Sequence, residues 1–353
     1  MRLKLPITIC LIAASLFAQE PKKQRIRIGG GPDPSLTKDW PRAEAGLPAF
    51  EAFLSEMVRR DLFSGTVLIA RGNETLLQKS FGLADKEAGV ANTNDTKYNL
   101  GSINKTFTHV ALLQLRRDGK IDFSKTLRTY LPDYPSEIAD RITIRQLLEM
   151  SSGMGDIFGP EYDATPKDRL RTLRDYLPLF VEKPLEFEPG TRRRYSNAGY
   201  IVLGLVVEQL SGMSYYDYVR ARVFAPAGMS DTDSYPVDAK TPKRATGYVG
   251  AKHDRTNLDS LPGRGSSAGG GYSTVGDLLR FTRALPKLIA REDYLRIVGE
   301  PAGVGWGGGA PGINAAVEME GDYTIIVLSN YDPPSASHVA KNARLALGLR
   351  GDE

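Results

Sequence analysis

The sequence predicts an α+β domain: one antiparallel sheet built from both termini and flanked by helices, with a mainly helical subdomain inserted. Three observations predict it. β-type apolar runs gather at residues 64–85 and again at 313–331. Between them apolar residues recur at spacings of three and four, the period of a helix. Strand and helix nowhere alternate regularly, as they would in a doubly wound parallel sheet. A cleft between the two parts is the natural place for a ligand or a reaction.

The elements follow in chain order. Arg2 and Lys4 precede an uncharged apolar run over residues 5–18, which reads as a signal peptide cleaved near Ala18. The run is too short to read as a transmembrane helix, and a retained N-terminal anchor is the alternative. Residues 19–46, rich in Pro, Gly and charge, read as a flexible leader, and 47–350 as the folded domain. "LPAFEAFLSEMVRRDLF" from Leu47 has helical spacing. In "SGTVLIARGNETLLQKSFGLAD", two β-type runs around "RGNE" predict a hairpin. Residues 102–117, 141–154 and 200–224 read as helical, the last closed by Ser211 and Gly212. "STVGDLLRFTRAL" opens on capping residues and continues as a helix. "INAAVEME" and "YTIIVLSNY" around Gly321 and Asp322 predict a second hairpin, and residues 337–349 a closing helix.

Composition excludes several classes. The 353 residues are 41% hydrophobic and 25% charged, enough for a sizeable core without disulfides. The net charge of +4, about +2 once Arg2 and Lys4 are removed, argues against a nucleic-acid partner. "TRRRY" at 191–195 is the basic run that stands out, and a solvated loop suits it better than steering of anionic substrates. The single cysteine, Cys10, lies in the apolar run, so a processed chain has no thiol nucleophile and no disulfide to mispair.

Three constellations could carry chemistry. Ser102 and Lys105 stand i and i+3 at the start of a predicted helix, where the two side chains share a face. They fit a nucleophile with its base, favoured by the helix N-terminus, or a capping serine beside a surface lysine. A free lysine has a pKa near ~10.4, so a basic role demands burial. Tyr195 and Asn197, just before an apolar helix, fit a proton shuttle and an amide donor, or an N-cap. "GVGWGGGAPGIN" (303–314) offers bare backbone N–H groups for an oxyanion, or is a flexible loop.

These elements, in this order and at these distances, resemble the serine β-lactamase and penicillin-binding-protein superfamily, nearest to class C β-lactamases and the esterases related to them. The blocks "ITIRQLLEMSSGM", "SSAGGGYSTVGDLLRFTRAL" and "TIIVLSN" extend the resemblance over about 47–349. It implies a β-lactamase/transpeptidase-like fold in which Ser102 becomes acylated. Lys105 and Tyr195 would share the proton transfers, and Asn197 would position the substrate or Lys105. The backbone N–H groups of Ser102 and Gly309 would hold the oxyanion, with Trp306, Gly307 and Gly308 lining the substrate side. The third motif usually starts with lysine or histidine in β-lactamases and peptidases. Here it starts with Trp306, which carries no charge and is similar to the WGG form of the family's esterases. That shifts the expectation towards neutral acyl esters, although Trp306 also suits plain packing. Gln146 and Met150 stand where the family pattern has His and Thr.

The expectation is thus a periplasmic or secreted serine hydrolase. It would act on a small ester, amide or lactam, with no cofactor, no metal, no nucleic-acid partner and no stable membrane insertion after signal cleavage. The alternatives are a class C type β-lactamase or D-amino-acid peptidase, and an acyl-binding sensor without turnover. "GSSAG" at 265–269 fits a nucleophile elbow at Ser267, but a polar loop precedes it and glycines follow, against the strand–turn–helix such a site needs. Of three histidines, only His338 falls late enough for a triad. His109, within an apolar helix, reads as a core residue.

Overall fold

The computed structural model describes residues 26–28, 37–298 and 303–349. The signal-peptide expectation at 1–18 lies outside the described residues. Six strands form the main sheet: β1 (Ile26–Ile28), β2 (Gly65–Arg71), β3 (Glu74–Phe81), β4 (Val304–Ala310), β5 (Ile313–Glu320) and β6 (Tyr323–Ser329). Their order is β1-β4-β5-β6-β2-β3, so strands from both ends of the domain interleave. Every pairing is antiparallel except β1 with β4, which is parallel. The two expected hairpins are β2–β3, turning at Gly72, and β5–β6, turning at Gly321.

Five longer helices surround the sheet: α1 (Leu47–Arg59), α2 (Asn104–Arg117), α3 (Asn197–Ser211), α4 (Val275–Leu288) and α5 (Ser335–Ala346). Side chains alternate along a strand, so the central strands β2 and β6 each serve two cores. Val67, Ile69, Ile325 and Val327 pack with Phe50, Leu54, Met57, Val339 and Ala343 of α1 and α5. Leu68, Ala70, Ile326 and Leu328 face the other way, into a core shared with α2, α3 and α4. Burial on both faces explains why β2 and β6 read as continuous apolar runs. Edge strand β3 buries only Leu77 and leaves its other residues half-exposed or exposed.

Two segments differ from the sequence reading. Within 19–46, read as a flexible leader, Ile26–Ile28 adds a strand to the sheet. Residues 40–43 strap α5: Trp40 meets His338 edge-on at 5.2 Å, and the Ala43 N–H donates to Asn342 Oδ1 at 2.8 Å. Residues 141–154, read as one helix, form only a short helix, Ile144–Leu148. Thr143 and Gln146 start it with a reciprocal capping box. Met150 then takes a positive φ of 56° and Gly153 one of 82°, which ends it. The chain leaves as an irregular segment, and that segment reaches the site.

Candidate active site

Ser102 lies in a 3-10 turn, Gly101–Ile103, that runs directly into α2. Three contacts fix that turn. The Leu100 N–H donates to Gly271 O at 2.7 Å, and the Gly270 N–H to Gly101 O at 3.3 Å. Asn104 Nδ2 donates to Ser266 O at 3.1 Å. On its other side the turn abuts β4. A methyl group at Gly308 would stand 1.9 Å from Leu100 O, so no side chain fits there. The same close approach brings two amides together: a Cβ at Gly308 would lie 3.1 Å from Ser102 N, and one at Gly101 2.9 Å from Gly309 N. Gly309 is exposed while Gly308 is buried, so the strand opens to solvent beside the serine. Two backbone N–H donors beside one hydroxyl are the components of an oxyanion site.

A second strap carries Tyr195. The segment before α3 is zipped to the irregular segment by the Arg194 N–H donating to Met150 O at 2.8 Å and the Gly190 N–H to Ser151 O at 2.8 Å. Ser196 caps α3, accepting from the Gly199 N–H at 3.0 Å, and donates to Gly155 O at 2.6 Å. Such a cap is worth about 1 kcal/mol to the helix. The N-cap of this motif is Ser196. Ser196 caps, while Tyr195 and Asn197 face inward.

The side chains converge. Ser102 Oγ and Tyr195 Oη lie 2.5 Å apart. Lys105 Nζ is 3.3 Å from Ser102 Oγ, 2.7 Å from Asn197 Oδ1 and 2.5 Å from Ala268 O. It also sits 4.8 Å from the centre of the Tyr195 ring. Lys105 is completely buried. Burial disfavours its ammonium and brings its pKa down to about 7, against an upward pull from the Asp156 carboxylate. Tyr195 is 37% exposed at the rim, but its hydroxyl end points inward. Burial pushes that phenol up to about 12, opposed by its hydrogen bond to Ser102 and aided by the Asp156 charge.

Two contributors escaped the sequence reading. Ala268 offers only a backbone carbonyl, which no residue type signals. Its loop cradles Lys105 and the start of α2. Asp156 receives both contacts from Asn197 Nδ2, at 2.9 and 3.1 Å to its two carboxylate oxygens. Its one signal was an acidic residue two positions beyond the segment read as helix, 141–154.

Trp306 corrects an expectation. Only 3% of it is accessible, its ring packs against Phe281 at 5.7 Å, and it helps line a cavity of about 240 Å³ with His109, Leu113 and Leu285. It is a packing residue, and the substrate-facing role implied by the resemblance does not fit that burial. Ser267 is fully buried, and its hydroxyl donates to Tyr200 O at 2.8 Å. His338 is engaged by Pro41 O at 2.8 Å, and burial brings His109 down to about 4. The "TRRRY" arginines serve their loop: Arg194 pairs with Glu186, and Arg192 covers the Phe187 ring at 4.5 Å. Among the described residues no cluster of three or more His, Cys, Asp or Glu could hold a metal ion, and no helix is long and apolar enough to cross a membrane.

The sequence and the fold have counterparts in known proteins. The family model described as Beta-lactamase matches residues 50–297, which include Ser102, Lys105 and Tyr195. The chain belongs to the beta-lactamase family. As a member of that family it is a serine hydrolase with the β-lactamase/transpeptidase-like fold. Penicillin-binding protein 4* of Bacillus subtilis (strain 168) is 31% identical over 243 residues, 63% of this chain and 52% of that protein. The putative penicillin-binding protein PbpX of the same organism is 29% identical over 245 residues, 68% of this chain and 60% of that one. The chain thus spans about half to three-fifths of the length of these curated relatives. The crystal structure of a penicillin-binding protein from Bacillus halodurans superposes with a TM-score of 0.74 at 31% identity, covering 80% of this chain and 97% of that one. D-amino acid amidase from Ochrobactrum anthropi SV3, complexed with L-phenylalanine, shares the fold at a TM-score of 0.71 and 21% identity, covering 86% and 97%.

Proposed function

We propose that this beta-lactamase family hydrolase cleaves neutral acyl esters through an acyl-enzyme on Ser102, with Lys105 as the base. The observation that carries the reading is the surroundings of Lys105. A neutral amine has two N–H donors and one lone pair. Asn197 Oδ1 and Ala268 O take the two donors, so the lone pair faces Ser102 Oγ. A pKa near 7 leaves the amine neutral in much of the population at physiological pH. Tyr195, pushed up to about 12, stays a phenol there and suits proton relay rather than the initial deprotonation.

In the proposed cycle Lys105 takes the Ser102 proton as Oγ attacks the ester carbonyl carbon. The oxyanion settles on the N–H groups of Ser102 and Gly309. The C–O bond to the leaving group breaks, and the departing alkoxide receives the proton through Tyr195, leaving Ser102 acylated and Lys105 neutral. Water then attacks the acyl carbon as Lys105 takes its proton, the bond from the acyl carbon to Ser102 Oγ breaks, Oγ receives that proton, and the carboxylic acid leaves. Trp306, at a position usually held by lysine or histidine in the family's β-lactamases and peptidases, supplies no cation for a substrate carboxylate, which supports neutral esters. The 5–18 apolar run behind Arg2 and Lys4 supports export to the periplasm or medium.

The amidase neighbour favours a second reading, hydrolysis of D-amino-acid amides. One parallel assay separates the readings: a short-chain p-nitrophenyl ester, a D-phenylalanine amide and a chromogenic cephalosporin. Turnover of the ester well above the other two is expected. Preferential amide or cephalosporin turnover would overturn the ester assignment. A lasting adduct on Ser102 without turnover would make the protein a sensor.

A further inference from the structure

We infer that Asp156 is a positioning residue that sets the basicity of Lys105 through Asn197; this deepens the proposed function and rests on it. An amide side chain can present either its oxygen or its NH2 to a neighbour. Both oxygens of Asp156 accept from Asn197 Nδ2, so Oδ1 must turn to Lys105, where it lies 2.7 Å from Nζ. Flipped, the amide would aim its NH2 at the lysine, competing for the lone pair and opposing the ammonium. The carboxylate is held in turn by the Ile157 N–H, which donates to Asp156 Oδ1 at 2.7 Å. The line therefore runs carboxylate, amide, amine, hydroxyl, with each member oriented by the one before it.

The carboxylate also acts by charge. The groups around Lys105 are Ser102 of its own element, Tyr195, Tyr200 and Asn197 from the α3 side, Asp156 from the irregular segment and Ala268 O from the glycine loop. Asp156 is the charged one among them. Burial alone would drive the lysine to a pKa at which it is a feeble base, and the nearby anion returns part of that loss. Asp156 thus holds the pKa of the amine near neutral pH, where base strength and the neutral fraction are both useful.

The test uses the full chain and kcat/KM for a p-nitrophenyl ester as a function of pH. Asp156→Asn keeps an acceptor for Asn197 but removes the charge, and it should move the acid limb to lower pH by about 0.5–1 unit. Asp156→Ala should lower kcat/KM by roughly 30- to 100-fold, and Asn197→Ala by a similar factor. Because Asp156 positions Lys105 through Asn197 and reaches it directly by charge alone, the double variant should be no more than about 3-fold worse than Asn197→Ala alone. Thermal melts check that each variant folds, and Asp156→Asn serves where Asp156→Ala does not. An unmoved acid limb in Asp156→Asn, or fully multiplicative losses in the double variant, would overturn the inference. Ser102→Ala is the control that keeps the two readings apart: activity surviving there overturns the function itself, whereas an inactive Ser102→Ala with an unmoved limb overturns the role of Asp156 alone.

Discussion

Ser102 and Ser267 lie on facing segments and both belong to short motifs that can carry a nucleophile, yet the fold gives them opposite surroundings. Ser102 is partly open, its hydroxyl lies within reach of a phenol and an amine, and two backbone N–H groups stand beside it. Ser267 has no accessible surface, and its one proton is spent on the carbonyl of Tyr200. A nucleophile elbow would push its serine out on a tight turn. Here the loop presses Ser267 against α3, and a side chain at Gly204 would meet its Oγ at 2.5 Å. The motif around Ser267 serves its neighbour: the next carbonyl, Ala268 O, accepts from Lys105. In the proposed function one serine is activated because the other, and its loop, are structural.

Substitutions can break that contrast. Ser102→Ala should lower ester kcat/KM by about 10⁴-fold or more, leaving only what binding and the oxyanion donors supply. Lys105→Met, close in size and without a base, should cost about 10³-fold. Its pH dependence sharpens the assignment. The neutral amine is the active form, so kcat/KM of the native chain should fall as pH drops through about 7. The same lysine links pH to folding. Its pKa is lowered on folding from ~10.4, so between about 7 and ~10.4 the unfolded chain binds more protons and stability rises with pH. Tyr195→Phe removes the relay but not the base and should cost about 10²-fold, with the acid limb kept. Trp306→Ala acts on the core instead, lowering stability to denaturant by about 3–4 kcal/mol through the cavity it leaves. Ser267→Ala should be the mildest: about 1 kcal/mol of stability and kcat/KM within ~3-fold of native.

The legible parts of the sequence were those with short-range physics. Hairpins announced themselves by period and turn residues, and α3 by its cap and by Gly212, which ends the helix at a φ of 69°. The cluster of Ser102, Lys105 and Tyr195 was legible because two of its members share a helix face and the third precedes a helix start. What stayed hidden depends on long-range contact. Ala268 contributes a backbone atom from 163 residues away. Asp156 needed the irregular path of 150–157, and the apolar spacing before it suggested a longer helix than Met150 permits. Trp306 was misjudged because sequence position marks which strand carries the motif, not which way a large ring settles between α2 and α4. The strand at Ile26–Ile28 was missed since three residues amid Pro, Gly and charge show no period.

The most direct test of the central claim is active-site labelling with a fluorophosphonate at pH 8, followed by intact-mass and peptide mapping. A single adduct on the peptide carrying Ser102, lost in Ser102→Ala and retained in Ser267→Ala, is the result predicted here. An adduct on Ser267, or one that survives Ser102→Ala, would contradict the assignment of the nucleophile.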